Sequence, residues 1–426
     1  MSRLLVVVTT IVFAFPLLAD RVHVVVALHD AGSSRVSTES VRGSVLQSFD
    51  ARAVQPWGQG RVFAAEIDRS EVERLASDPR VRTVEIDEGG GGALLQSLPL
   101  IGVDVVRAQG YDGYGITVAV LDTGVDVSNP DFAGRIVAQR CFCDNLDGSG
   151  CCPNNDVQQS GDGAAMDDNG HGTNVTGIVA GGGASAPAGV APAAKIVAVK
   201  VMDRTNSFRS FTQIYRALQW IAEERPDVKV INMSLGSAAL YTTANCGGAA
   251  IALGMQDVIG KLRNRGVLIT ASTGNQGSKT SITLPACMQD VLGVGAIYDS
   301  VGSFSFYNCP DPSAQLGSVT CFTNSSDAID IVAPGAPITA SRRGGGIATY
   351  SGTSMAAPHV AGVIALMLQA SAGALTADET EHILKSTGKT AVDPRNGRMF
   401  PSLDAAAAIA STPHAPPGPR RRSVRK

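Results

Sequence analysis

Between residues 94 and 412 the chain repeats one pattern: a short Val- and Ile-rich run, a loop, then an amphipathic helix. The runs fall at 116–121, 196–201, 228–233, 267–271 and 291–297. Each is apolar at consecutive positions rather than alternate ones, which predicts strands covered on both faces. Strands of that kind belong to parallel sheets, whose neighbours are joined by long crossovers, usually helices. Two such helices are legible. Phe211, Ile214, Ala217, Leu218 and Ile221 recur at three- and four-residue spacing, and 249–263 behaves similarly. The expected fold class is α/β, a parallel sheet between helices, with its functional loops at the carboxyl ends of the strands.

The rest of the chain divides by composition. Residues 1–19 carry Arg3, then an apolar stretch interrupted by Thr9, Thr10 and Pro16, and end at the small Ala19. That run is short for a bilayer span and predicts a cleaved signal peptide, with an N-terminal anchor as the alternative. Residues 20–88 read as strands at 21–28, 61–67 and 81–86, with a helix at 41–49. Ser70-Glu-Val-Glu73 matches a capping box opening a second helix, so this segment is expected to be a small α+β unit. Four glycines at 89–92 mark a linker, 89–93. The Pro-rich and then basic stretch 413–426 is expected to be disordered.

Charge narrows the function. The formal net charge is −3 with only 17% charged residues, which excludes a generally nucleic-acid-binding surface. The eight cysteines fit an exported chain with disulfides. Cys141, Cys143, Cys151 and Cys152 lie within twelve residues, so a zinc cluster competes with disulfides there, although paired Cys-x-x-Cys arms are missing.

Three segments carry chemistry. Asp122-Thr-Gly124 ends the strand at 116–121, where a carboxylate is rigid and partly desolvated. Asp168-Asn-Gly-His171-Gly-Thr leads into an apolar helix at 175–180, with glycines leaving room around the imidazole. Gly352-Thr-Ser354-Met-Ala-Ala-Pro-His opens a helix that runs apolar over 355–368. A helix N-terminus offers unpaired N–H groups and partial positive charge, suited to an oxyanion beside the serine. Taken singly, each has a plain alternative: a turn aspartate, a structural histidine, a helix-capping serine. The nucleophile elbow of the α/β-hydrolases does not fit, because position 356 is alanine and the later His359, His382 and His414 are poorly placed.

In the order Asp, His, Ser, with each in its local context, the segments resemble the subtilisin-like serine proteases, over 94–412. The resemblance implies a three-layer subtilisin-like catalytic domain. It implies that Ser354 is the nucleophile, His171 the general base and then acid, and Asp122 the group that orients the imidazole. Asn275, in Ala271-Ser-Thr-Gly-Asn275, matches the side-chain oxyanion donor, and Ser234, Leu235, Gly236 and Gly274 match the substrate-binding residues. Residues 20–88 look like an inhibitory pro-segment, making the product a secreted or periplasmic zymogen that acts as a monomer on protein or peptide substrates. No cofactor is implied for the chemistry. Structural calcium is usual in the family; Asp144, Asp147, Asp156 and Asp162 are nearby oxygen donors, but none matches a ligand motif, and no metal residue is assigned. Relatives of a secreted bacterial subgroup link the equivalents of Cys246 and Cys287; Cys309 and Cys321 would close a local loop, and the other four pair among themselves. Asn174 stands where many relatives have a second histidine. A peptide ligase on the same scaffold, or an inactive binding protein, are the alternative functions.

Overall fold

In the computed structural model, which describes residues 21–29, 37–57, 61–86, 94–145, 147–306 and 309–414, the chain separates into two units between Gly90 and Gly91. The signal peptide, the linker and all but two residues of the basic tail lie outside the described residues.

In the first unit alternation dictates the sheet. Phe63, Ala65 and Ile67 of the strand Val62–Asp68 are buried while their neighbours are not. This strand pairs antiparallel with Arg52–Trp57 on one side and Arg21–Leu28 on the other, and Arg21–Leu28 pairs in turn with Val81–Ile86. Val45 of the helix Thr38–Ser48 and Leu75 of Val72–Ala76 complete one core with Val24 and Val26. The expected capping box at Ser70 does not form. Asp68, at the strand end, accepts both the Ser70 N–H (2.9 Å) and its hydroxyl (2.5 Å), so a 3-10 turn, Arg69–Glu71, precedes the helix.

The second unit is built on a ten-stranded sheet. Its order is Lys389–Val392, Met399–Ser402, Ile331–Ala336, Leu292–Tyr298, Leu268–Ser272, Val228–Met233, Thr117–Asp122, Lys195–Lys200, Ile136–Phe142, Gln158–Ser160. All pairs are parallel except the outermost on each side. The five expected strands are all present, shifted by no more than a residue. The strand Ile331–Ala336 was hidden because Pro334 and Gly335 read as breakers.

Successive residues of Thr117–Asp122 face two different cores. Val118 and Val120 pack with the helix Thr353–Ala370 on one side, while Ala119 and Leu121 pack with Ile214, Leu218, Met255 and Ile259 on the other. Those residues belong to the helices Phe211–Glu224 and Ala250–Asn264. Thr353–Ala370 is apolar enough by length and composition to cross a membrane, yet 89% of it is buried in protein. A helix that is apolar all round belongs to the middle of a large core. It packs against His171–Ala180, and this pair forms the layer on which the site is assembled.

Candidate active site

Adjacent strands deliver the site residues to one end of the sheet. Asp122 is the last residue of its strand, Ser234 follows Val228–Met233, and Asn275 lies beyond Leu268–Ser272. Asp122 is fully buried, and its Oδ1 accepts the Thr123 N–H at 2.7 Å. The same oxygen meets His171 Nδ1 at 2.7 Å. His171 is the first residue of its helix, four residues earlier than expected. Gly172 makes that approach possible: a Cβ there would stand 2.1 Å from the Gly124 carbonyl oxygen and 3.0 Å from Asp122 Oδ1. Burial works most strongly against a charged imidazole, but the charge and hydrogen bond of Asp122, joined by the charge of Asp167, outweigh it and raise the His171 pKa.

Two residues that support this pair were not singled out by sequence. Asp167 is fully buried and accepts from Thr123 Oγ1, the backbone N–H groups of Asn169, Gly170 and Thr173, and Thr173 Oγ1. It knots the loop before His171 to the residue after Asp122. Lys200 is also fully buried; its Nζ donates to the carbonyls of Thr123 (2.9 Å) and Met202 (2.8 Å) and to Asp168 Oδ1 (2.6 Å). Nothing local distinguishes Asp167 from Asp168 in the sequence; the fold alone separates them.

Ser354 is the second residue of Thr353–Ala370. Its hydroxyl hydrogen-bonds the Ser234 carbonyl at 3.3 Å, while Ser234 Oγ donates back to the Ser354 carbonyl at 2.7 Å. The serine is thus seated against the Ser234 segment, with its hydroxyl not on the imidazole among the described contacts. Asn275 Oδ1 accepts both the Thr353 N–H and the Thr353 hydroxyl at 2.9 Å, which leaves the NH2 group as the amide's donor end. Gly274 N–H donates to the same hydroxyl at 3.1 Å. Ser234, Leu235, Gly236, Gly274, Asn275 and Ser354 line one cleft of about 1150 Å³. Gly236 lets the chain run flush against Thr283, whose Oγ1 would lie 2.4 Å from a Cβ.

Asn174 is buried beside the site, its amide donating to the Ala348 carbonyl at 2.9 Å. His359 lies inside the core between the Met355 carbonyl (2.8 Å) and Ser97 Oγ (3.0 Å), and burial pushes its pKa down to about 4. The cysteines form four disulfides, Cys141–Cys152, Cys143–Cys151, Cys246–Cys287 and Cys309–Cys321. Thiolates are therefore not available for zinc. Among the described residues no three His, Cys, Asp or Glu side chains are gathered to hold a metal, so Asp144, Asp147, Asp156 and Asp162 form no carboxylate cage for calcium.

The Subtilase family matches residues 113–401. Subtilisin E of Bacillus subtilis (strain 168) is 32% identical over 314 residues, covering 72% of this chain and 70% of its own. A thermostable alkaline protease of Halalkalibacterium halodurans is 31% identical over 330 residues, covering 76% and 77%. Among solved structures, a cold adapted subtilisin-like serine proteinase superposes with a TM-score of 0.52 at 30% identity, covering 69% of this chain and 90% of its own. The chain belongs to the subtilase family and is a serine endopeptidase, a hydrolase whose chemistry needs no cofactor.

Proposed function

We propose that the chain hydrolyses peptide bonds in protein substrates through Ser354, His171 and Asp122, and is made as an exported zymogen. The observation that carries the catalytic assignment is the 2.7 Å contact between His171 Nδ1 and the buried Asp122 carboxylate. It fixes the tautomer with Nδ1 protonated, leaving Nε2 as the base. In the reaction the Ser354 hydroxyl turns from the Ser234 carbonyl and gives its proton to His171 Nε2 as Oγ bonds to the substrate carbonyl carbon. The oxyanion forms at the N-terminus of Thr353–Ala370, where the Asn275 NH2 group and a helix amide donate to it. The imidazolium, stabilised by Asp122, then protonates the leaving amine, and the C–N bond breaks to leave an acyl-enzyme. Water repeats the sequence, releasing the acid and restoring the serine. Extended substrate would pair its backbone with 234–236 and Gly274, a mode that favours unfolded segments.

Ser354→Ala tests the assignment. The expected fall in kcat is about a million-fold, the loss known for the nucleophile of subtilisin itself. A variant with near-normal peptidase activity would refute it, and joined rather than shortened peptide products would favour ligation over hydrolysis.

The zymogen reading rests on the separate α+β unit before the glycine run, and export on residues 1–19 and the four disulfides. Parallel strands fold slowly because their contacts are distant in sequence, and a preformed inhibitory segment would lower that barrier. N-terminal sequencing of the secreted, active monomer should find 20–88 removed, and the isolated segment should inhibit it.

A further inference from the structure

Leaving-group chemistry defines a second half of the substrate site. On the reading above, His171 hands a proton to the departing amine, so the residues after the scissile bond must lie beside the imidazole, beyond the cleft that holds the acyl portion. The hairpin formed by Ile338–Ser341 and Ile347–Tyr350 stands there. The Tyr350 ring stacks alongside His171 with centroids 6.4 Å apart, and a Cβ placed on Gly170 would lie 3.7 Å from the Arg343 Cβ. The hairpin is anchored. Asn129 Nδ2 donates to the Arg342 carbonyl at 2.8 Å, Gly344 N–H donates to Asp126 Oδ2 at 2.8 Å, and Asn174 holds the Ala348 carbonyl.

Two arginines sit at its turn, and they differ. Arg342 folds back, its Nε donating to the Gly345 carbonyl at 3.1 Å. Arg343 is exposed and has no hydrogen bond or ion pair among the described residues. The acids nearby are already engaged. Asp126 is buried on Ser128 and Gly344, Asp167 on its knot of donors, and Asp168 on the Lys200 ammonium. Against the effect of burial, the Arg343 charge helps hold the Asp126 carboxyl below its usual range. Among the described residues, however, no carboxylate lies within ion-pair distance of the guanidinium, which stands next to the residue preceding the proposed general base on a hairpin fixed at three points.

We propose that Arg343 selects substrates carrying Asp or Glu within the first two residues after the scissile bond. The carboxylate would meet the guanidinium at the protein surface, and exposed pairs of this kind are worth about two- to fivefold in an equilibrium or rate ratio. Because the interaction is exposed, salt should erase it: the Debye length falls to about 3 Å at about 1 M.

The test is cleavage-site profiling of a peptide library by the active enzyme produced from the full chain. It is paired with kcat/KM on two peptides that differ only in Glu or Lys after the cut. The wild type should favour Glu by about two- to fivefold at low salt and lose the preference at high salt. Arg343→Ala should abolish it, Arg343→Glu should invert it, and Arg342→Ala should leave it in place. The proposal is overturned if the wild type shows no acidic preference, or if the preference survives in both Arg343 variants. Failure to cut any peptide, with Arg343 intact, would refute the peptidase reading on which the proposal stands. Efficient cutting without charge preference would refute only the proposal.

Discussion

Gly172 offers the sharpest test of how the acid–base pair is positioned. In Gly172→Ala the new Cβ would sit 2.1 Å from the Gly124 carbonyl oxygen, where real contacts are rarely under 3.4 Å. The two backbones must therefore part by roughly 1 Å, since neither atom is the end of a flexible side chain. Gly124 lies two residues beyond Asp122, and Gly172 directly follows His171, so the separation falls on the 2.7 Å contact between carboxylate and imidazole. A displacement of that size in a reacting constellation costs about a hundredfold in rate, and the overpacking itself about 1–3 kcal/mol of stability. The cleft lining comes from other elements, so KM should change little. Steady-state kinetics on a chromogenic peptide, with a thermal melt, would measure both. Gly260→Ala is the control: nothing lies within 4 Å of its Cβ position, and removing a glycine from a helix interior should stabilise by about 0.5–1 kcal/mol with kcat intact. If Gly172→Ala kept wild-type kcat and melting temperature, close approach of these backbones would not be what sets the pair.

Three further outcomes follow from the same geometry. On the proposed mechanism, the raised His171 pKa of the free enzyme keeps the imidazole protonated, and unable to accept the serine proton, to a higher pH than an ordinary histidine; the acid limb of kcat/KM should therefore lie above pH 6.5. His359 is different, because burial lowers its pKa to about 4. Between pH 6.5 and about 4 the unfolded chain binds a proton that the folded chain does not, so stability should fall with falling pH by up to about 3 kcal/mol; urea melts of His359→Gln should show a flatter dependence. Cys246–Cys287 closes a sequence separation of 41 and Cys143–Cys151 one of only 8, so chain entropy assigns about 4 and at most about 2.5 kcal/mol to them. Removing Cys246–Cys287 should lower the melting temperature more, and the reverse order would count against the entropic account.

Much of this was legible because its determinants are local. The five Val- and Ile-rich runs are continuous in sequence, and a strand buried on both faces has little other way to read. The Asp122, His171 and Ser354 segments each carry their glycines and small residues within a few positions, so each motif was complete in itself. What escaped depends on distant partners. The Ile331–Ala336 strand looks broken by Pro334, yet its neighbours Leu292–Tyr298 and Met399–Ser402 hold it in the sheet. Asp167 and Lys200 gain their importance only where Thr123, Met202 and the His171 loop converge, a convergence no window of sequence contains. At Ser70 a correct local motif lost to a better acceptor two residues earlier, Asp68.

The composition, with 47 glycines and only 5% aromatics, also becomes intelligible from the site. Groups on separate elements must come within hydrogen-bond distance, and helices separated by large side chains stand about 8–10 Å apart. Small residues remove that spacing. A Cβ on Gly335 would meet the Gly352 carbonyl at 2.8 Å, and one on Gly362 would meet Val190 Cβ at 2.5 Å, so the Ser354 helix lies directly against its neighbours at both its entry and its middle. The disulfides act elsewhere. Cys309 lines the cleft, and Cys287 lies four residues beyond Thr283, which also lines it. Close backbone packing therefore holds the proposed reacting groups, while cross-links hold the walls of the cleft proposed to take substrate. The two should separate kinetically: opening Cys246–Cys287 should raise KM more than it lowers kcat, whereas Gly172→Ala should do the reverse. Equal effects of both changes on kcat would mean that walls and reacting groups move as one body, and that this division of labour is wrong.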